Sequence, residues 1–302
     1  MGRLARIAFH AGRSSANSTP FLLGKPYPRG GAWRCFSSTP PEHCEIVQGP
    51  SLLRTSTTRP SPSLLHIPGL RSLPFWTQYD KDQDVNRVAY QDPTVSEAVQ
   101  YLEQHWETIR REYAEKAPKL ASDYQTDTEH TLHKGTWDWH SYMLKGKVQP
   151  NFEKHFPRTA TILQVFRDEG RLLFEGTPFG YAFFSTLHAQ SKIAAHSAPM
   201  NFRVRIHLPL IVPANMPSAA PVSEQDGRPS VGIRVGPVVR QWHPGKALVL
   251  DDAYNHEVWN HTHESRVLLL IDLWHPDITT QEKQDIIGLF NHAEEQGWLS
   301  GE

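Results

Sequence analysis

Six short runs of β-branched and aromatic residues, between about residue 171 and residue 277, constrain the fold most strongly. They read YAFFSTLHA, NFRVRIHLPLIVP, VGIRVGPVV, GKALVLDD, HEVWN and SRVLLLIDLWHP. Their period of two and the glycine, proline and polar residues between them are typical of β-strands. Because no helical pattern interrupts the series, we predict an antiparallel double-stranded β-helix, a cupin-like jelly roll, rather than a parallel α/β sheet.

Helical patterns flank this β region on both sides. The run DPTVSEAVQYLEQHWETIRREYAEK repeats apolar residues at helical intervals and carries Thr94 and Glu97 in capping-box spacing. The run FPRTATILQVF predicts a second, shorter helix, and Thr279 and Glu282 predict a capping box before a C-terminal helix. The expected fold class is therefore mainly β with flanking helices.

The N-terminal part of the chain differs in composition from the rest. It carries arginines and serines but no acidic residue before Glu42, and RCFSS around Arg34 resembles a cleavage site of a matrix protease. This composition is typical of a mitochondrial transit peptide. We expect residues 1–44 to direct the protein to the mitochondrial matrix, 45–90 to form a proline-rich linker or irregular segment, and 91–302 to form the folded domain.

Charge, hydropathy and cysteine content narrow the class of partner. The net charge is −1, which favours neither nucleic acid nor an anionic membrane as a partner. No run of about 18 apolar residues predicts a membrane span. Cys35 and Cys44 are the only cysteines, so a metal site would have to use histidines and carboxylates. We expect a small-molecule or peptide substrate.

The strand NFRVRIHLPL has two faces of contrasting character. The apolar face carries Phe202, Val204, Ile206, Leu208 and Leu210. The polar face carries Asn201, Arg203, Arg205 and His207. If the polar face is buried, its arginines need anions nearby, because an unpaired buried charge is costly. Those anions could be bound ligands, and the alternative is a solvated face.

The stretch DDAYNHEVWNHTHESR lies between two apolar strands and holds three histidines. His256 begins one strand, and Arg266 begins the next. His261 and His263 fall in the turn between them, where histidines are usually solvated, and we assign them no role. One imidazole makes a poor metal site, and the best candidate for a second ligand is His196 in AAHSAP.

The motifs of this region resemble those of the aspartyl/asparaginyl β-hydroxylase family of Fe(II)- and 2-oxoglutarate-dependent oxygenases. The resemblance extends from FPRTA at residue 156 to DLWHPD at 277 and includes HSAPMNFRVRIHL, GIRVG and PGKALVLDDAYNHEVWN. VLDD stands where the family more often has VFDD. The resemblance implies a dioxygenase that uses dioxygen and hydroxylates an aspartyl or asparaginyl residue, or a related amino-acid-like small molecule, with release of succinate and CO2.

The same resemblance implies roles for individual residues. His196 and His256 would hold Fe(II), and Arg266 would pair with the distal carboxylate of 2-oxoglutarate. Ser185 and His207 match positions that support this co-substrate. Arginine suits the role because its planar fork can bind a carboxylate at two points.

Three further residues are candidates for binding the substrate. Arg203 and Arg205 match basic residues that line the site for carboxylates of the co-substrate or substrate. Trp137, in the polar segment HTLHKGTWDWHSYMLKGK, would line the mouth of the substrate site. Tryptophans are more often packed than functional, which is the alternative for Trp137.

The sequence departs from the wider superfamily at the first metal ligand. His196 is followed by Ser197 and Ala198, so no carboxylate stands two residues after the histidine. This leaves several alternatives: a two-histidine iron site with extra water, a halogenase with room for halide at Ala198, or a third ligand from Asp251 or Asp252. A non-catalytic protein that binds a 2-oxo acid is the alternative from another class.

Overall fold

Thirteen strands form most of the regular structure of the described residues. The computed structural model describes residues 65–83, 85–88, 92–123, 133–168, 172–214 and 228–297. In chain order the strands are β1 (Thr77–Asp80), β2 (Val85–Val88), β3 (His133–Lys134), β4 (Trp137–Leu144), β5 (Lys147–Val148), β6 (Ala182–Leu187), β7 (Ser191–His196), β8 (Arg203–Ile211), β9 (Val231–Val235), β10 (Val238–Arg240), β11 (Leu248–Leu250), β12 (His256–Asn260) and β13 (Arg266–Trp274).

The strands assemble into two antiparallel sheets and a separate hairpin. The larger sheet has the order β11-β8-β13-β6-β4-β5, the smaller sheet β10-β9-β12-β7-β3, and β1 pairs with β2. Apolar residues from both sheets pack together between them, including Leu187, Leu250, Leu268, Ile233 and Val258. This arrangement confirms the predicted mainly β jelly roll.

The helices are α1 (Pro93–Lys116), α2 (Pro150–His155), α3 (Pro157–Asp168) and α4 (Thr280–Glu295), with one 3₁₀ turn at Ala117–Lys119. Helix α1 covers the outer face of the larger sheet, where Leu102 and Ile109 join Val204, Ile206 and Leu208 in one apolar core. The opposite face of β8 therefore points between the sheets, which confirms the predicted contrast between the two faces of this strand.

Six strands, β1 to β5 and β7, lie outside the six runs that the sequence predicts, and the longest of them are β4 and β7. Strand β4 comes from the tryptophan-bearing segment, so the β region begins well before residue 171. Strand β7 has the sequence SKIAAH, where exposed Lys192 and Ala194 alternate with buried Ser191 and Ile193. Neither segment has a clear apolar alternation, because polar residues occupy buried positions in both. Pairing with neighbouring strands therefore decided their conformation.

The predicted capping box at Thr94 and Glu97 is wrong. Helix α1 begins with Pro93, and the Asp92 carboxylate accepts a hydrogen bond from the backbone N–H of Val95 at 3.2 Å. Aspartate at the cap followed by proline suits a helix start, since proline lacks the N–H that would stay unpaired there. The second predicted capping box, at the start of α4, is present.

The described part of the predicted linker packs against the folded domain. Leu65, Leu73 and Trp76 are buried, and Arg71 forms ion pairs with Asp92 and Asp277. These contacts offset the conformational entropy that the segment loses when it is ordered. The predicted targeting segment, 1–44, lies outside the described residues. Among the described residues, no helix is both long and apolar enough to cross a membrane.

Candidate active site

Two imidazole rings meet where the smaller sheet pairs β7 with β12. His196 ends β7 and His256 begins β12, and the two residues are direct cross-strand partners. Their ring centroids lie 4.1 Å apart. The β-bulge between His256 and Val258 lies beside this pair, and bulges commonly re-aim side chains at active sites. The structure therefore brings together the two histidines that the sequence proposed as metal ligands.

Hydrogen bonds orient both rings in the same way. Nδ1 of His196 lies 2.8 Å from the carbonyl oxygen of Ala194, and Nδ1 of His256 lies 2.9 Å from that of Tyr254. A carbonyl oxygen only accepts, so each Nδ1 carries the proton and each Nε2 carries the lone pair. This is the tautomer that a histidine needs to bind a metal through Nε2.

The environment keeps His256 neutral. Burial and, after it, the neighbouring ring of His196 lower the pKa of His256 to about 3. The charge of Asp252 raises this pKa but does not outweigh them. The neutral imidazole is the form that coordinates a divalent metal. The described residues contain no group of three His, Cys, Asp or Glu side chains that could hold a metal ion. They therefore fit a metal held by two protein ligands.

The arginines of β8 are paired with carboxylates of the chain itself. Arg205 binds both oxygens of Asp272, at 2.7 and 2.9 Å, and Asp272 also lies 3.1 Å from Arg203. Arg203 binds Asp252 at 2.5 Å. The expectation that bound ligands neutralise these arginines therefore needs correction, because two buried aspartates do so. Arg205 stays partly exposed, while Arg203 is buried.

Asp251 and Asp252, the alternative third ligands, have other roles in this arrangement. Burial alone would raise the pKa of Asp252, but Arg203 and Arg205 outweigh it and hold this pKa well below its usual range. Asp251 accepts hydrogen bonds from Ser72 Oγ at 2.8 Å and from the backbone N–H of Ala253 at 3.0 Å. These contacts favour a structural role for both carboxylates.

Arg266 is a buried cation without a carboxylate partner among the described residues. Its side chain is 1% exposed, and its Nη1 donates weakly to the carbonyl and hydroxyl oxygens of Ser185, both at 3.3 Å. Its Nε has no hydrogen-bond partner in the described part of the chain. Burial lowers the pKa of Arg266 to about 9, so the guanidinium remains charged at neutral pH. A buried, uncompensated cation is costly, which makes this place suited to an anionic ligand.

Ser185 links this guanidinium to Trp137, and His207 lies near Trp242, the residue against which Arg266 packs. Ser185 lies on β6, and its Oγ accepts a hydrogen bond from Trp137 Nε1 at 2.9 Å. His207 is buried, and its Nδ1 has no hydrogen-bond partner among the described residues. Burial lowers the pKa of His207 well below its usual value, and the charges of Arg205 and Arg266 add to that effect. His207 is therefore neutral and close to both arginines.

Ala198, two residues after His196, is buried. Its side chain is buried in an apolar cluster with Leu65, Met200 and Phe202, on the side of the roll next to α4. Its backbone N–H donates to the carbonyl oxygen of Asp252 at 2.8 Å. This packing gives no support to a halide site at Ala198.

Two residues of this region, Asp272 and Trp242, are not among the site residues predicted from the sequence. Asp272 stands directly opposite Arg205 between β13 and β8, and a single acid inside the apolar run VLLLIDLW was the signal for it. Trp242, in the loop between β10 and β11, lies against Arg266 with 4.9 Å between Cζ and the ring centroid. No local pattern pointed to Trp242, since a tryptophan in a loop is ordinarily a packing residue.

The site therefore combines a jelly roll, two converging imidazoles that suit a metal ion, and a buried arginine that suits an anion. The family model described as "Aspartyl/Asparaginyl beta-hydroxylase" matches residues 103–276. The chain belongs to the aspartyl/asparaginyl beta-hydroxylase family.

Comparison with known proteins supports this membership at moderate similarity. The chain is 27% identical over 224 residues to the human aspartyl/asparaginyl beta-hydroxylase. This matched region covers 74% of this chain and 26% of the relative. It is 26% identical over 245 residues to aspartate beta-hydroxylase domain-containing protein 2 of Xenopus tropicalis, covering 78% of this chain and 57% of that protein. The chain therefore spans between about a quarter and somewhat over half of these relatives.

Two further similarities cover different stretches. The chain is 40% identical over 95 residues to ornithine lipid ester-linked acyl 2-hydroxylase of Rhizobium tropici. This matched region covers 32% of this chain and 30% of that protein. Among solved structures, a prolyl-4-hydroxylase of Pseudomonas putida matches with a TM-score of 0.31 and 13% identity, covering 59% of this chain and 86% of the other.

Proposed function

We propose that the protein is an Fe(II)- and 2-oxoglutarate-dependent dioxygenase that hydroxylates an amino-acid-like substrate and releases succinate and CO2. One observation carries the proposal. A buried guanidinium, that of Arg266, has no carboxylate partner in the part of the chain that the structure describes, and it lies in the roll that also contains the paired imidazoles of His196 and His256. The imidazoles suit a divalent metal, and the guanidinium suits the distal carboxylate of a dicarboxylic oxo acid. When bound, iron with dioxygen and the oxo acid would supply the oxidising chemistry.

The residues of the chain would hold and orient these groups. His196 and His256 would present Nε2 to the metal, with their Nδ1 atoms fixed by backbone carbonyls. Arg266 and Ser185 would bind the oxo acid, with His207 beside them. The apolar residues packed between the sheets would exclude water from the reacting groups.

An anaerobic titration tests the proposal. The full-length protein is mixed with Fe(II) and then with 2-oxoglutarate, and absorption is followed in the visible range. We expect a metal-to-ligand charge-transfer band that saturates with the oxo acid. His256→Ala should lose the band and all turnover, because a single imidazole is a poor metal site. Succinate formation by His256→Ala at the wild-type rate would refute this assignment of the metal ligands.

The same preparations separate the alternative functions. A non-catalytic 2-oxo-acid-binding protein would give the charge-transfer band but no succinate with any substrate after oxygen is admitted. A halogenase would give a halogenated product with chloride or bromide present, whereas the hydroxylase gives only hydroxylated product. The burial of Ala198 among apolar residues favours the hydroxylase.

We propose an aspartyl or asparaginyl residue, or a related amino-acid-like molecule, as the substrate. Arg205 supports this, because it is the more exposed arginine of the β8 pair. Its guanidinium could bind a substrate carboxylate in addition to its own partners, Asp252 and Asp272. Succinate release should be screened with amino acids, short peptides and mitochondrial extracts. Because one similar protein is named as an acyl 2-hydroxylase, the screen should include an acyl-amino-acid lipid.

We also propose that the protein acts in the mitochondrial matrix. The support is the acid-free, arginine-rich composition of residues 1–44. A fluorescent protein fused to 1–44 should enter mitochondria, and a fusion of 45–302 should not. Equal distribution of the two fusions would count against import by this segment.

A further inference from the structure

Trp242 lies inside the roll, and its polar atom has no partner within the described ranges. The residue is 3% exposed and packs between the two sheets with Leu250, Tyr254 and Leu268. Its indole Nε1 has no hydrogen-bond partner among the described residues. A buried N–H without a partner carries a desolvation cost of about 1–3 kcal/mol, so its persistence calls for an explanation.

Two other unpaired polar atoms lie close to this indole. The Arg266 guanidinium stacks over the ring at 4.9 Å, and the His207 ring centroid is 6.1 Å from it. Arg266 Nε and His207 Nδ1 are likewise buried without partners in the described part of the chain. Trp242 and Arg266 can only donate at these atoms. Two donors and one positive charge in one buried place suit an anion with strong acceptor oxygens, such as a carboxylate.

A second tryptophan shows that this arrangement is not a general property of the fold. Trp259 also stacks against an arginine, with 5.6 Å between the Arg228 Cζ and the ring centroid. Its Nε1, however, donates to the carbonyl oxygen of Pro229 at 2.7 Å. The two indoles therefore have similar cationic neighbours, and they differ in whether the chain itself provides an acceptor.

We propose that Trp242 Nε1 donates a hydrogen bond to the same ligand carboxylate that Arg266 binds. Trp242 is thereby a specificity-determining residue that favours dicarboxylic over monocarboxylic 2-oxo acids. This inference rests on the proposed function, because it assumes that a 2-oxo acid occupies the site. The ring also holds the guanidinium in place through its π face, which a phenylalanine can largely preserve.

Calorimetric titration of the full-length protein tests this inference. The protein carries Zn(II) instead of Fe(II) to prevent turnover, and the ligands are 2-oxoglutarate and 2-oxopentanoate, which has a methyl group in place of the distal carboxylate. Trp242→Phe should weaken 2-oxoglutarate binding by about tenfold to a hundredfold, the range of a hydrogen bond to a charged group. Binding of 2-oxopentanoate should stay unchanged.

Trp259→Phe is the matched control. It should bind both oxo acids like the wild type but unfold at a lower temperature, since it leaves the Pro229 carbonyl without its donor. Both substitutions leave a cavity, but Trp242→Phe loses no hydrogen bond to the described residues, so it should lower the unfolding temperature less than Trp259→Phe does. A purely structural role for Trp242 would give the opposite result in stability.

The possible results are distinguishable. Unchanged 2-oxoglutarate affinity in Trp242→Phe, or equal weakening of both acids, overturns the inference while the proposed function stands. No binding of 2-oxoglutarate by the wild type refutes the proposed function itself. If Trp242→Phe does not fold, NMR of the ¹⁵N-tryptophan-labelled wild type replaces it. One indole N–H resonance should then shift with 2-oxoglutarate and not with 2-oxopentanoate, and the absence of such a shift overturns the inference.

Discussion

At the scale of single residues, the site separates two kinds of buried arginine. Arg203 and Arg205 have carboxylate partners within the chain, while Arg266 has none among the described residues. The first kind contributes to folding, because its charges are already compensated. The second kind keeps its charge available for a ligand, because only a bound anion can compensate it.

The first prediction concerns the guanidinium of Arg266. Arg266→Ala should raise the Kd of 2-oxoglutarate by about 30-fold or more, since truncating one partner of a buried charge pair costs about 2–5 kcal/mol. Arg266→Lys should recover only part of the affinity, because an ammonium lacks the planar fork. Anaerobic titration measures both. Arg234→Ala, which removes an arginine paired with Glu257, should bind like the wild type. Wild-type affinity in Arg266→Ala would exclude Arg266 as the carboxylate ligand.

The second prediction concerns the compensated arginines. Asp272→Asn should lower the free energy of unfolding by about 3–5 kcal/mol, because it leaves Arg205 and Arg203 with less buried negative charge. Urea denaturation measures the change. Glu294→Gln, which breaks an exposed ion pair with Lys147, should change it by less than about 1 kcal/mol. A similar small change in Asp272→Asn would mean that the buried network contributes little to stability.

At the scale of elements, one helix caps another. Glu112, buried on α1, accepts hydrogen bonds from the backbone N–H groups of Arg158 and Thr159, at 3.0 and 2.7 Å, and from the Thr159 hydroxyl at 2.6 Å. These N–H groups belong to the first turn of α3, where they have no partner within the helix. The carboxylate also suits the positive end of the helix dipole. This contact fixes α3 against α1 on the outer face of the larger sheet.

The third prediction tests this contact. Glu112→Gln should lower the free energy of unfolding by about 2–3 kcal/mol, because hydrogen bonds to a charged acceptor are replaced by weaker ones and an amide N–H group faces other donors. Thermal and urea denaturation measure it. Glu107→Gln, on the same helix but partly exposed, should have a much smaller effect although it loses Arg110 and Arg111 as partners. Equal effects of the two substitutions would contradict the capping role.

At the scale of the whole molecule, several buried histidines make stability depend on pH. Burial lowers the pKa of His275 to about 4 and that of His256 to about 3, and lowers that of His207 well below its usual value. The unfolded chain protonates these rings near pH 6.5, whereas the folded protein does so only at lower pH. The unfolded state therefore binds more protons between these values, and stability falls as the pH falls.

The fourth prediction is that the metal-free protein loses stability steadily between pH 6.5 and 4. His275→Gln should reduce this slope by about one proton, or about 1.4 kcal/mol per pH unit. Glutamine can keep the two contacts of the ring, with the Arg71 carbonyl and the Asp277 N–H. Urea denaturation at several pH values gives the slope. An unchanged slope in His275→Gln would contradict the prediction.

The sequence by itself determined the fold class and the composition of the candidate site. Period-two alternation predicted most strands, because each has one face in the core. Motif order then identified His196, His256 and Arg266. The conformation of β4 and β7 could not be predicted in this way, since their polar residues at buried positions hide the alternation and only cross-strand pairing makes them strands.

Only the tertiary structure decided which charges of the site are already compensated. The partners of Arg203 and Arg205, at positions 252 and 272, are distant in sequence, and strand register alone brings them together. The same holds for Trp242, which reaches Arg266 across the interior of the roll. Local patterns reveal which face of a strand is buried. They do not reveal which buried charge lacks a partner, because that depends on contacts between strands far apart in the chain.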